Sequence, residues 1–179
     1  MNIESKRLML RAVEPDDARF LADIINDPEV RSILGAYDLV FPVSVDMEER
    51  WIAAESKTED VHLIVTLKKG LAPLGILSLK DINKRNGSAH LSIILEKKSW
   101  DRGYGTEAVT EVLSFLFHKK NMHRVWLRVA EYNERAIACY KKCGFKVEGT
   151  LREDHYASDA WHSSLVMSVL DKDFRRKRS

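Results

Sequence analysis

The sequence predicts an α/β fold built on one mixed sheet with helices packed against it. Three observations predict it. Four partly alternating apolar segments, near 7–12, 61–68, 74–82 and 90–95, read as strands. A βαβα unit follows, running from the strand at 90–95 to a helix that stops at Gly144. Two further strands, near 145–151 and 163–170, close the chain. That order of elements is the order of an α/β sandwich.

The elements follow in chain order. Pro15 suits the first turn of a helix, where its missing N–H leaves no bond unmade. Phe20, Leu21, Ile24 and Ile25 then recur at helical spacing. Asp27 and Pro28 break that helix and open a second, short one. Residues 35–43 read as irregular. Ser44 is placed to cap a helix that holds Met47, Trp51 and Ile52 on one side. The stretch Lys-Lys-Gly-Leu-Ala-Pro at 68–73 is turn material, so the strands on either side form a hairpin. Asn86 and Gly87 give the strongest signal of the next turn. In the long helix that follows Gly103-Tyr104-Gly105 and runs to about Lys120, Ala108, Val109, Val112, Leu113, Leu116 and Phe117 make one buried stripe. Val125, Leu127 and Val129 alternate in the strand after it.

Composition narrows the function classes. Hydrophobic residues are 45% and charged residues 31% of 179, which is globular rather than disordered. No apolar run reaches the roughly 18 residues of a membrane helix. The start, Met-Asn-Ile-Glu-Ser-Lys-Arg, lacks the apolar core of a signal peptide, so a cytoplasmic location is the expectation. Cys139 and Cys143 have no nearby histidine pair, which makes a poor zinc site, and they read as small, buried, reduced thiols. No metal is expected. A net charge of +2 gives no ground to expect nucleic acid as a partner. The basic end, Phe174-Arg175-Arg176-Lys177-Arg178, reads as a solvated tail covering 171–179.

The sharpest chemical signal is the glycine turn between the strand at 90–95 and the long helix. Gly103 and Gly105 let a ligand approach the backbone. The helix start presents unpaired N–H groups and partial positive charge, a natural place for a diphosphate. Arg102 adds a cation and Thr106 a hydroxyl. The turn is not a P-loop, since the lysine–serine/threonine ending is absent, and it lacks the third glycine of the dinucleotide fingerprint. Two glycines before a helix also fit a plain tight turn. The second signal is the helix that Asn133 caps, where Ala136 and Tyr140 share a face. A small residue below a tyrosine leaves a groove with a hydroxyl at one end; a half-buried core tyrosine fits as well.

Three stretches together resemble the GNAT superfamily of N-acetyltransferases over nearly the whole chain. They are Trp-Asp-Arg-Gly-Tyr-Gly-Thr-Glu-Ala at 100–108, Asn-Glu-Arg-Ala at 133–136 continuing through Tyr140 to Phe145, and Glu-Gly-Thr-Leu-Arg at 148–152. Residues 7–11, 26–30 and 41–42 are similar to the subgroup of ribosomal-protein N-terminal acetyltransferases, with spermidine N-acetyltransferases as near relatives. The resemblance implies a single N-acetyltransferase domain over 1–179. It implies a mixed, mostly antiparallel sheet of about seven strands flanked by helices on both faces. It also implies acetyl-CoA as cosubstrate and an amine as acceptor, with a homodimer left open.

It further implies direct attack of the amine on the thioester while both substrates are bound. Ile94 and Leu95 would receive the pantetheine arm, and an N–H near Leu95 the oxyanion. Arg102, Gly103, Tyr104, Gly105 and Thr106 would hold the diphosphate. Asn133 and Ala136 would line the cofactor's path, and Tyr140 would protonate the leaving thiolate. Where many relatives carry a glutamate base, this chain has His90, which titrates near neutrality and is the candidate base. A surface or core histidine is the plainer reading of it. Glu107 reads as serving the helix end electrostatically. Trp100 and Asp101 depart from the superfamily's usual residues, and an aspartate beside a diphosphate is repulsive unless it points away.

Acceptor choice is expected in 27–52, with Tyr37, Asp38, Phe41 and Trp51 as candidates. Only Asp38 in the loop, with Glu48 and Glu49 after it, offers carboxylates, so a protein N-terminus or small amine fits better than a polyamine. An acyl-CoA-binding sensor without turnover is the competing class.

Overall fold

The structure, a computed structural model, describes residues 2–34, 41–157 and 159–178. Its strands are β1 (Ile3–Glu4), β2 (Leu8–Ala12), β3 (Val61–Leu67), β4 (Pro73–Asn83), β5 (Ser88–Leu95), β6 (Arg124–Ala130), β7 (Lys146–Ala157) and β8 (Ala160–Leu170). Its helices are α1 (Ala18–Asn26), α2 (Pro28–Leu34), α3 (Val45–Glu55), α4 (Tyr104–Lys119), α5 (Glu134–Cys143) and α6 (Asp171–Arg178).

The strands form one sheet of eight in the order β1-β2-β3-β4-β5-β6-β8-β7. Every neighbouring pair is antiparallel except β5 and β6. The expected mixed sheet is there, with eight strands instead of about seven. The extra one, β1, is two residues long and pairs Ile3 with Leu10. A strand that short carries no period to read.

Alternation along the central strands sends side chains to two cores. Leu8, Leu10, Val65, Leu77, Ala89, Leu91, Val125 and Leu127 meet α4, α5 and α6 on one face. Ile64 and Ile76 meet Ala18, Leu21 and Ile52 of α1 and α3 on the other. The apolar stripe read for α4 is the one buried: all six of its residues are inside. In α3 the buried residues are Glu48 and Ile52, while Met47 is exposed, so the expected grouping of Met47 with Ile52 is corrected. Burial pushes the Glu48 carboxyl above its usual range.

The C-terminal segment is not a solvated tail. Residues 171–178 form α6, Phe174 is buried, and its ring lies 5.4 Å from that of Phe117. Arg175 donates to the Phe117 carbonyl at 2.9 Å, fixing the helix to the end of α4. A basic run hid one well-placed aromatic residue. Among the described residues no helix is long and apolar enough to cross a membrane.

Candidate active site

The site begins where β5 and β6 part. Their parallel pairing runs from Ser88↔Arg124 to His90↔Trp126 and then stops, although β5 continues to Leu95. On the other side β5 stays paired with β4, from Asn83↔Ser88 through Gly75↔Leu95. Glu96 N–H donates to the Leu74 carbonyl at 2.9 Å, so the bonded pairs beside it are alternate residues, and Leu95 turns its main-chain groups away from β4. The Leu95 carbonyl accordingly accepts from Trp100 Nε1 at 2.8 Å. The Leu95 N–H points the same way, into the gap. Gly75 lets the two strands stay this close: a Cβ there would stand 2.1 Å from the Ile94 carbonyl oxygen.

The glycine turn closes one end of this gap. Gly103 sits at the N-cap of α4 with φ 76, a left-handed conformation that disfavours any side chain. The first bond of the helix turn is Glu107 N to the Gly103 carbonyl at 3.0 Å, so the amides of 103–106 lie ahead of it and, among the described residues, have no helix carbonyl to meet. The 16 residues of α4 place the positive end of their dipole there.

Helix α5 forms the opposite wall. Asn133 Oδ1 accepts from the Ala136 N–H at 3.1 Å, the cap the sequence predicts, and Gly144 ends the helix with φ 102. Trp100 and Arg135 reach each other across the opening, with the guanidinium carbon 3.3 Å from the indole centroid. The result is a cleft of about 1090 Å³.

Of the residues expected to form a site, the cleft brings together His90, Ile94, Leu95, Gly103, Tyr104, Gly105, Thr106, Asn133, Ala136 and Tyr140. It leaves out Arg102, which is exposed and whose carbonyl accepts from Arg7 Nη1 at 3.1 Å. Asp101, with φ 57, does line the cleft, and Arg135 feels its charge. Ile94 contributes its side chain, which also packs toward α1 and α3; the main-chain groups that face the gap are those of its neighbours.

Tyr140 is buried, and its ring packs 5.6 Å from that of Phe145. Burial pushes its phenol well above the ordinary value, with Cys139 and Cys143 adding to the shift. Among the described residues its hydroxyl has no hydrogen-bond partner, so it remains a neutral donor at the cleft wall. His90 packs 4.6 Å from the Trp126 ring. Burial lowers its pKa, Asp81 and Asp60 act to raise it, and Lys80 and Arg128 to lower it; the net shift is downward, so the imidazole is neutral at pH 7.

The two cysteines are free, but only Cys143 is buried. Cys139 lines the cleft, 3.4 Å from Thr106 Oγ1. A hydrogen bond from Cys143 holds its thiol down at about 7, against burial and helped by Thr106 and Lys142. Glu55, Asp60 and His62 bring ligand-type atoms within 4.8 Å of one another outside the cleft. His62 is satisfied there by protein groups, through Ser78 Oγ at 2.8 Å and Glu55 Oε2 at 3.1 Å.

The acceptor candidates fare differently. Tyr37 and Asp38 lie outside the described residues. Phe41 is exposed, and Trp51 stands edge-on to His62 at 4.8 Å. Glu49 is exposed and Glu48 buried, and neither lines the cleft. The far end of the cleft is instead lined by Val30 and Ile33 of α2, Asp81 of β4, Trp126 and Arg128 of β6 and Asp154 of β7. Arg128 and Asp154 form an ion pair, and Asp154 also meets His155 Nδ1 at 2.9 Å. Val30 and Ile33 fall within the 27–52 stretch expected to set acceptor choice; the others went unread because they come from three separate strands.

Known proteins resemble the chain along the same lines. A family model described as an acetyltransferase (GNAT) domain matches residues 7–146. Spermidine N(1)-acetyltransferase of Vibrio cholerae is 25% identical over 171 residues, covering 95% of this chain and 96% of that protein. A putative ribosomal N-acetyltransferase, YdaF of Bacillus subtilis, is 23% identical over 178 residues, with 97% of each chain covered. The crystal structure of the Vibrio cholerae spermidine N-acetyltransferase in complex with CoA and spermine superposes with a TM-score of 0.85 at 25% identity, covering 96% of this chain and 99% of that one. Eight strands, a cleft where two parallel neighbours part, and a family match over most of the length agree: the chain belongs to the GNAT family of acetyltransferases.

Proposed function

We propose that this acetyl-CoA-dependent N-acyltransferase acetylates a primary amine, either a protein N-terminus or a small amine, by direct attack in a ternary complex. The observation that carries this reading is the gap between β5 and β6, which has the free Leu95 amide on one wall and the Tyr140 hydroxyl on the other. The diphosphate of the cosubstrate rests on the amides of 103–106, and its pantetheine arm runs along β5 in place of the missing strand. The thioester carbonyl then accepts from the Leu95 N–H, which stabilises the charge that develops on oxygen.

Holding the two reactants in line supplies most of the gain, up to roughly 7–11 kcal/mol. The acceptor enters from the end lined by Trp126 and Arg128. Neutral His90 takes the proton that the ammonium must lose. As the tetrahedral species collapses, Tyr140 gives its proton to the departing sulfur and is reprotonated by the proton that the nitrogen sheds on becoming the amide. We place the reaction in the cytoplasm and treat residues 1–179 as one catalytic unit.

A second reading is polyamine acetylation. It is favoured by the relatives named as spermidine N-acetyltransferases, one of them solved in complex with CoA and spermine. A thiol-release assay over N-terminal peptides, small monoamines and spermidine separates the two. Turnover of peptides or monoamines above spermidine supports the first reading, and turnover of spermidine alone replaces it. Absence of turnover with every amine, alongside tight CoA binding, makes the chain a sensor.

A further inference from the structure

We infer that Asp81 is the anchor for the acceptor's ammonium group and a determinant of acceptor choice; this rests on the reading that the cleft acetylates amines. Asp81 has φ 50, in the left-handed region that non-glycine residues rarely enter. The pairing of β4 with β5 loses register at the same place, between Lys80 and Asn83. Until then β4 alternates regularly, with Leu77 and Leu79 in the core beneath α4 and Ser78 on the other face. An irregularity of this kind re-aims a side chain, and such features gather beside active sites. Here it brings Asp81 to the wall of the cleft that holds His90, although the cross-strand partner of His90 is Lys80.

The charges around it single Asp81 out. At the acceptor end the other lining carboxylate, Asp154, is neutralised by Arg128. Among the described residues the Asp81 carboxylate has no hydrogen-bond or ion-pair partner, and neighbouring Lys80 forms no ion pair with it. The left-handed turn thus sets an exposed, unpaired carboxylate at the cleft wall that also holds the candidate base. An incoming alkylammonium supplies the missing cation. It docks on Asp81, passes its proton to His90 and attacks as the free amine. Among the described residues at the acceptor end, Asp81 is the lining carboxylate left without a counterion, and it matches one ammonium group of the acceptor.

The test uses the full-length chain with Asp81→Asn and Asp81→Gly. Both residues tolerate the left-handed backbone, and glycine relieves its strain, so melting temperatures at or above the parent's are expected. The KM for a monoamine acceptor should rise at least about tenfold in both, the loss of one charge-assisted contact. The KM for acetyl-CoA should stay unchanged, and the amine KM of the parent should rise with salt where that of D81N does not. An amine KM within twofold of the parent in both variants overturns the anchor. If the parent turns over no amine, the acetylation reading itself fails. Equal monoamine binding by the CoA-bound parent and D81N then overturns the anchor separately.

Discussion

The Glu107 carboxylate closes on Arg7: Oε1 accepts from the Arg7 N–H at 2.8 Å and Oε2 from its Nε at 2.6 Å. Ser5 Oγ adds a third bond at 2.6 Å. The first turn of α4, which carries the glycine turn, is thereby tied to the chain just ahead of β2. Burial acts to raise the Glu107 pKa, but the bonds from Ser5 and Arg7 outweigh it and hold the carboxyl below its usual value. A lowered folded-state value means stabilisation that is present above the unfolded pKa, about 4.3, and lost as pH falls below it. Glu107→Gln should therefore destabilise the chain by about 1–3 kcal/mol at pH 7. Urea unfolding at pH 7 and pH 3.5 checks this; the gap between variant and parent should shrink at the lower pH.

Much of this was legible in sequence, and what was not had physical reasons. The cap at Asn133, the stop at Gly144 and the stripe on α4 follow from local chemistry and period, and the structure places them as read. Glu107 was legible as a helix-start charge, but its bond to Arg7 spans 100 residues and has no local signal. Asp81 was invisible for a similar reason, because a left-handed residue at a register shift looks like any strand aspartate. Arg102 sits in the expected motif but at the surface, outside the cleft lining, and among the described residues only its carbonyl contact with Arg7 ties it to the fold.

Tyr140→Phe removes a hydroxyl that no described protein group holds. Stability should therefore change little, while kcat should fall about 10²-fold or more through loss of the general acid. Stopped-flow thiol release measured beside a thermal melt separates the two effects. A large drop in melting temperature with unchanged kcat would reassign the tyrosine to the core.

His90→Gln should lower kcat/KM by about 10²–10⁴-fold. In the parent, burial holds the imidazole below its usual value, so the acidic limb of the kcat/KM profile, which reports the free enzyme, should lie below about pH 6.5. Activity rises with pH through that limb as the base becomes neutral. The limb should disappear in the variant, and a limb kept in place would exclude His90 as the base.

Phe174→Ala tests the docked C-terminal helix. A buried phenylalanine packed on Phe117 should cost about 3–5 kcal/mol on truncation. The KM values for both substrates should hold below the melting temperature, since neither phenylalanine lines the cleft.

Gly103→Val places a branched side chain on a backbone at φ 76, beside Arg7 Nη2 at 3.4 Å from the new Cβ. Strain of about 1–2 kcal/mol should lower the melting temperature by a few degrees only. Affinity for CoA should fall by about 10²-fold as the turn shifts and its amides are covered, which calorimetry at pH 7 will read.

The most direct measurement is a crystal structure of the chain with CoA bound. The diphosphate should rest on the amides of 103–106, the pantetheine should run beside β5 between Ile93 and Leu95, and the sulfur should lie within hydrogen-bond reach of the Tyr140 hydroxyl. CoA bound elsewhere, with the gap between β5 and β6 closed, would contradict the account.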